Sequence, residues 1–210
     1  MTLRLAGSTS GYTEIDAPAV AGSNTLVLPT GNGSSGQYLQ TNGSGVLSWG
    51  SVTSSKILQV VQTAKTNVFS TTSSSFVDAT GLSVSITPSS SSNKILVMLN
   101  GSAGMDSGSA GAIRLVRDAT AIFVGDTTSG YTSVSGPSFY GGSNDGNNNE
   151  AFAICYLDSP GTTSAVTYKA QMAAIQGVGT LRLNALGSDN SGQSYSIRSA
   201  SSITVMEVAA

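Results

Sequence analysis

Nucleophilic catalysis of the Ser-His-Asp or Cys-His kind needs an imidazole base, and this chain contains no histidine. That one absence removes both nucleophile classes and histidine-ligated metals. Glycoside hydrolysis needs two acids converging across a cleft. The eleven acidic residues are scattered, many in turn-like settings such as Asp118, Asp126 and Asp158, where a short carboxylate bonds to nearby backbone. No catalytic pair is evident, so the chain reads as non-enzymatic, with no catalytic residue and no cofactor. Its one cysteine, Cys155, lies in the apolar run "AFAICYL" (151–157), which predicts a buried structural thiol rather than a nucleophile.

The residue types that remain are suited to binding. "NDGNNNE" (144–150) offers Asn144, Asp145, Asn147, Asn149 and Glu150 as hard oxygen donors of the kind calcium takes. The loop pattern with its closing bidentate acid is missing, so a solvated Asn-rich loop is the favoured reading and no metal is expected. "GSAGMDSGSAG" (101–111) lacks the Lys-Ser/Thr ending of a phosphate loop and reads as a flexible connection. Tyr131, Phe139 and Tyr140 stand among Gly, Ser and Asn. Exposed rings beside amides make a surface for sugars or proteins; the alternative is that they fold back and cap the ends of the fold. The candidate contact set is Tyr131, Phe139, Tyr140, Asn144, Asp145 and Asn147. Trp49 is expected to pack where the opening segment meets the rest of the chain.

These residues need a scaffold, and the composition describes one. Ser (37), Thr (22) and Gly (25) exceed a third of the 210 residues, while charged residues are 10% and the net charge is −2. With 39% hydrophobic residues the chain is not the charged, weakly hydrophobic type that stays disordered. Its few Lys and Arg form no basic patch, which excludes a nucleic-acid partner. No stretch approaches the roughly 20 apolar residues of a membrane helix, so no membrane insertion is expected. "MTLRLAGSTSG" has one Arg and no long apolar core, so it does not read as a secretory signal. Synthesis in a cytoplasm follows as an expectation.

From Lys56 onward the apolar period is two. "VTYKAQM" alternates Val166, Tyr168, Ala170 and Met172 against Thr167, Lys169 and Gln171, the mark of a half-buried strand. "GLSVSIT" and "TLRLNAL" repeat it. "KILVML" (94–99) and "AFAICYL" (151–157) are apolar on both faces and predict inner strands covered on each side. "IRLVRDATAIFVGD" predicts strands 113–116 and 121–124 around a turn, and "SPG" (159–161) marks another turn. The connections 125–138 and 141–150 should project from the sheet ends. About eight strands over 56–210 predict an antiparallel β-sandwich of the jelly-roll type.

Residues 1–55 differ. The apolar groups of "SGYTEIDAPAVAGSNTLVLPTGNGSSGQYLQTNGSGVLSW" (10–49) are short, isolated and separated by turn formers. Such a segment is too short to complete a core by itself. It must pack on the rest of the chain, on its own copies or on another protein. The expected fold class is therefore all-β: an N-terminal extended, fibre-like β segment (1–55), then a jelly-roll-like sandwich (56–210).

Residues 11–52, "GYTEIDAPAVAGSNTLVLPTGNGSSGQYLQTNGSGVLSWGSV", resemble a short module of bacteriophage tail fibres and related virion appendages. The resemblance lies in "AP…AGSNT…LP" and "G.SGQ.LQT.G.G.LSW". "ILQVVQT…FVDATGLSVSITPSSSSNKILVML", "IRLVRDATAI" and "SASSITVMEV" are similar to C-terminal domains of phage virion proteins. The resemblance implies a homotrimer with jelly-roll tips, anchored to other virion proteins through its N-terminal part. It implies location in the virion and contact with a host-surface glycan or protein. Two alternatives stay open: a head fibre or capsid decoration without receptor role, and a tailspike-type depolymerase. A cellular trimeric lectin or cytokine-like module shares the architecture but not the N-terminal module.

Overall fold

The computed structural model describes residues 3–16, 18–20, 22–52, 56–142, 146–188 and 192–210. Contacts divide the chain into two units, Met1–Ser54 and Ser55–Ala210.

The first unit consists of two small hairpins. β1 (Leu3–Ala6) pairs antiparallel with β2 (Tyr12–Ile15), and β3 (Gln37–Thr41) with β4 (Leu47–Ser51). Asn42 sets the second turn, its side-chain oxygen accepting from the N–H groups of Ser44 (2.9 Å) and Val46 (3.2 Å). That is the local bonding that makes Asn a turn former. Residue 27 is stitched to this hairpin: Val27 N donates to Gly45 O (2.9 Å) and Leu47 N to Val27 O (2.8 Å). Trp49 packs inside the unit, its indole N–H donating to Gly31 O at 2.6 Å. Gly33, at φ +70°, lies under the ring, where a Cβ would come within 2.7 Å of it. Among the described residues no buried hydrophobic side chain belongs to this unit. Its large apolar side chains, from Leu3 and Ile15 through Val27 and Leu28 to Tyr38 and Trp49, are 37% to 91% exposed, except the half-buried Leu47.

The second unit is built from β5 (Ile57–Lys65), β6 (Phe69–Thr71), β7 (Val77–Ile86), β8 (Lys94–Met105), β9 (Ala110–Arg117), β10 (Thr120–Ile122), β11 (Ser138–Tyr140), β12 (Glu150–Asp158), β13 (Val166–Gln176), β14 (Leu181–Leu183) and β15 (Ser201–Val208). No helix occurs among the described residues. The chain is all-β, and every strand pair is antiparallel.

Two sheets share the core. A six-stranded sheet runs β5-β15-β8-β14-β6 with β12 on β8, and a five-stranded sheet runs β10-β9-β13-β7 with β11 on β9. The chain crosses between the sheets at most connections: β7, β9 and β13 belong to one, β8, β12 and β15 to the other. Their inward side chains form one hydrophobic cluster, the arrangement of a β-sandwich. The period-two faces are the buried ones. Val166, Tyr168, Ala170 and Met172 are at most 2% exposed, and Leu82, Val84 and Ile86 are buried. Between the pairs Ser83–Lys169 and Asp78–Gln171 β7 carries three extra residues, and Gly81, at φ +86°, lies among them. A bulge of this kind favours glycine because L side chains disfavour positive φ.

Three expectations need correction. β8 and β12, read as strands covered on both sides, are covered on one. Ile154 and Leu99 are buried, whereas Ala151, Ala153, Cys155 and Leu157 on the opposite face of β12 are exposed. Among the described residues β12 pairs only with β8, so it is an edge strand. Cys155 is therefore an exposed thiol, not a buried one. An apolar run records that a side chain is hydrophobic, not what covers it. Asp118 also departs in detail: with φ +54° it does occupy the β9–β10 turn, but its carboxylate accepts from Thr167 N across the sheet (2.9 Å).

Candidate functional site

The candidate contact residues fall on two connections of the second unit. The first, between β10 and β11, folds on itself through Gly125 N to Val134 O (3.1 Å) and Ser133 Oγ to Asp126 O (2.8 Å). Tyr131 N donates to Thr128 O (3.1 Å), making a turn with Gly130 at φ +87°. Ser135 anchors the returning arm: its hydroxyl donates to Ile122 O (2.8 Å) and accepts from Leu115 N (2.9 Å). The base is closed by Phe123, whose ring stacks on Tyr156 with centroids 4.9 Å apart. Tyr131 is presented on this frame with 79% of its surface exposed. A rigidly framed ring on a loop gives contact area at small entropic cost.

The second site is β11 and the run after it. Strand alternation in β11 turns Phe139 and Tyr140 to opposite faces. Tyr140 is 56% exposed, whereas Phe139 is fully buried, edge-on to Phe152 with centroids 5.9 Å apart. Phe139 is thus a core residue and drops out of the contact set; its pairing opposite Gly111 on β9 points it inward. Asn147 is exposed. Asn144 and Asp145 lie outside the described residues. Tyr140 and the Asn-rich run are brought together by Asn148, whose amide N–H donates to Tyr140 O (2.6 Å) while its oxygen accepts from Met105 N (2.9 Å). Asn148 O also accepts from Gly187 N (3.0 Å). Sequence reasoning passed over Asn148, because one Asn in a run of three carries no sign of being the clip.

The acids nearby serve the scaffold. Asp106 accepts from Arg182 Nη1 (2.6 Å) and Thr180 N (2.7 Å), and Arg182 also donates to Gly187 O. Burial pushes the Asp106 carboxyl up, but these hydrogen bonds prevail and hold it below its usual value. Asp158 accepts from Arg117 Nη1 through both oxygens (3.0 and 2.8 Å) and from the buried Tyr168 hydroxyl (2.7 Å). Burial, reinforced by that carboxylate, drives the Tyr168 phenol far above its ordinary value. Asp78 accepts from Lys169 and Gln171, each at 2.7 Å. Among the described residues no three His, Cys, Asp or Glu side chains gather as a metal site. The arrangement can offer aromatic and amide surface to a partner, while Asp78, Asp106 and Asp158 are engaged in hydrogen bonds within the fold.

Fold and site together define a class: an all-β chain whose two-sheet unit presents exposed rings on framed loops. No protein-family model matches the sequence, and no curated protein matches it.

Proposed function

We propose that the chain is a non-enzymatic structural protein of a bacteriophage virion, a short homotrimeric tail fibre. Its N-terminal part anchors to other virion proteins, and its jelly-roll-like tip serves attachment to the host surface. The observation that carries this reading is the first unit: hairpins whose large apolar side chains, the half-buried Leu47 excepted, are at least 37% exposed, with no buried hydrophobic residue among those described. Leaving such surface in water is unfavourable by about 25 cal/mol per Å². Intertwined copies remove the problem, as in a fibre. The resemblance of residues 11–52 to phage appendage modules points the same way.

Strand order supports the jelly-roll part. In space the strands lie side by side as β5-β15-β8-β12 and β10-β9-β13-β7, the doubled Greek-key pattern of that architecture. The use of Asp78, Asp106, Asp158 and Glu207 as internal hydrogen-bond acceptors supports a non-enzyme over a depolymerase. Fold alone does not assign a role, so the test is direct. Full-length protein should sediment as a trimer, and gold-labelled antibody against it should mark the phage tail. A monodisperse monomer would sink the fibre; label on the capsid would reassign it as a head fibre or decoration.

A further inference from the structure

The outer faces of the two sheets are chemically opposite. On the five-stranded sheet, Arg114 donates to Gln171 (2.9 and 2.7 Å), and Gln171 and Lys169 both donate to Asp78. Arg114 also lies over the Phe76 ring. That face is charged and suited to water. On the six-stranded sheet the outward charges lie toward the margins, Lys94 at the start of β8 and Arg182, paired with Asp106, on β14; the middle is different. Register across β12, β8, β15 and β5 sets three rows: Leu157–Leu96–Met206–Val60, Cys155–Met98–Thr204–Gln62 and Ala153–Asn100–Ser202–Ala64. These twelve residues face away from the core and include no charge. Their in-register neighbours Leu99, Val97, Ile203 and Val205 are the buried ones.

We propose that copies of this chain pack against one another through this face, an inference that rests on the homo-oligomer reading and adds its location. A second copy is the occupant that fits. Identical charged faces repel, whereas this one is uncharged and meets its own image without desolvating an ion. On the face the protomer leaves open, Leu96 and Met98 on β8 and Ala153, Cys155 and Leu157 on β12 are apolar, the pattern of strands buried twice, and the polar residues among them, Gln62, Asn100, Ser202 and Thr204, are uncharged. Val60 is 56% and Leu157 43% exposed. Among the described residues the outer edge of β12 is unpaired, and between Glu150 and Asp158 at its ends it carries none of the charges that edge strands use against association. Four strands about 4.8 Å apart and five residues at about 3.3 Å each span roughly 300 Å² laid flat. That is at the lower end of the patches that mark interaction sites, and under half of one partner's share in a standard interface of about 800 Å². The β12 edge and the relief of the side chains enlarge it.

Cys155 reports on the face from its middle row. The thiol is exposed in the protomer, so a thiol reagent should modify it readily if the face is open. In purified full-length oligomer it should react at least about tenfold more slowly than in denaturant, protection of the kind that packing gives. V60K/L157K should sediment at lower mass, with Cys155 reacting fast and the far-ultraviolet spectrum unchanged. V178K, at a fully exposed site in the β13–β14 connection, is the control and should leave both readouts alone. A wild-type oligomer with a freely reactive Cys155 overturns the face while leaving the oligomer reading intact. A wild-type monomer overturns both, and if its thiol is nonetheless protected, another part of the same chain covers the face. Should V60K/L157K fail to fold, the wild-type thiol rate decides by itself.

Discussion

Tyr140 and Phe139 are neighbours in one strand, yet the pleat sends one to solvent and the other into the core. That separation gives a test at the residue scale. Phe139→Ala removes a fully buried ring packed on Phe152 and should cost about 3–5 kcal/mol of stability. Tyr131→Ala and Tyr140→Ala remove exposed rings and should change stability by less than about 0.5 kcal/mol. If those two rings contact the host, the tyrosine pair lowers adsorption of phage to cells at unchanged melting temperature. Unchanged adsorption would move host contact elsewhere on the particle, and a collapse in melting temperature would make the tyrosines structural. The two measurements separate the possibilities because loops carry recognition while strands carry packing.

The last strand shows how an element is fixed in place. The last inward position of β15 holds a glutamate where an apolar residue would suit the core face, and this Glu207 is 1% exposed. Its carboxylate accepts from Ser89 N (2.6 Å), Ser89 Oγ (2.7 Å), Asn93 Nδ2 (2.7 Å) and Gln59 Nε2 (2.6 Å). One side chain thus ties β15 and β5 to the 87–93 connection. Burial works against the charge, but the donors outweigh it and hold the carboxyl down at about 2, against 4.5 for an ordinary glutamate. Because the folded value is the lower one, the stabilisation is complete above pH 4.5 and fades as pH falls toward 2. Glu207→Gln should be less stable at pH 7, since it replaces an acceptor of four donors with an amide carrying its own N–H groups. Its stability should then vary less with pH between 4.5 and 2. Chemical denaturation across that range measures both effects, and equal pH slopes for the two proteins would remove Glu207 from the acid response.

At the scale of the molecule the two units obey different economies of burial. Residues 55–210 close a core between two sheets. Among the described residues of the first 54, no hydrophobic side chain is buried. Deleting residues 1–55 should therefore leave a folded sandwich with a cooperative melt, because nothing in its core comes from the deleted part. The same deletion should abolish incorporation into particles if anchoring lies there. Truncated protein that still enters the virion would place the anchor in the sandwich; truncated protein that fails to fold would show that the core depends on the opening segment.

The all-β class was legible in the sequence, as were the identity of most strands and the buried face of each alternating one. Period two belongs to the backbone pleat and is written locally, as in Val166–Met172 and Leu82–Ile86. The turn at Arg117–Thr120 and the connection between β12 and β13 were legible for the same local reason. Only the tertiary structure could place what depends on distant partners. It put β12 at a sheet edge, exposed Cys155, buried Phe139 beside Phe152, and assembled the Glu207 and Asp158 networks from residues as much as 148 positions apart. Hydrophobicity tells a side chain to leave water; where it goes is decided by which strand, loop or second chain arrives to cover it.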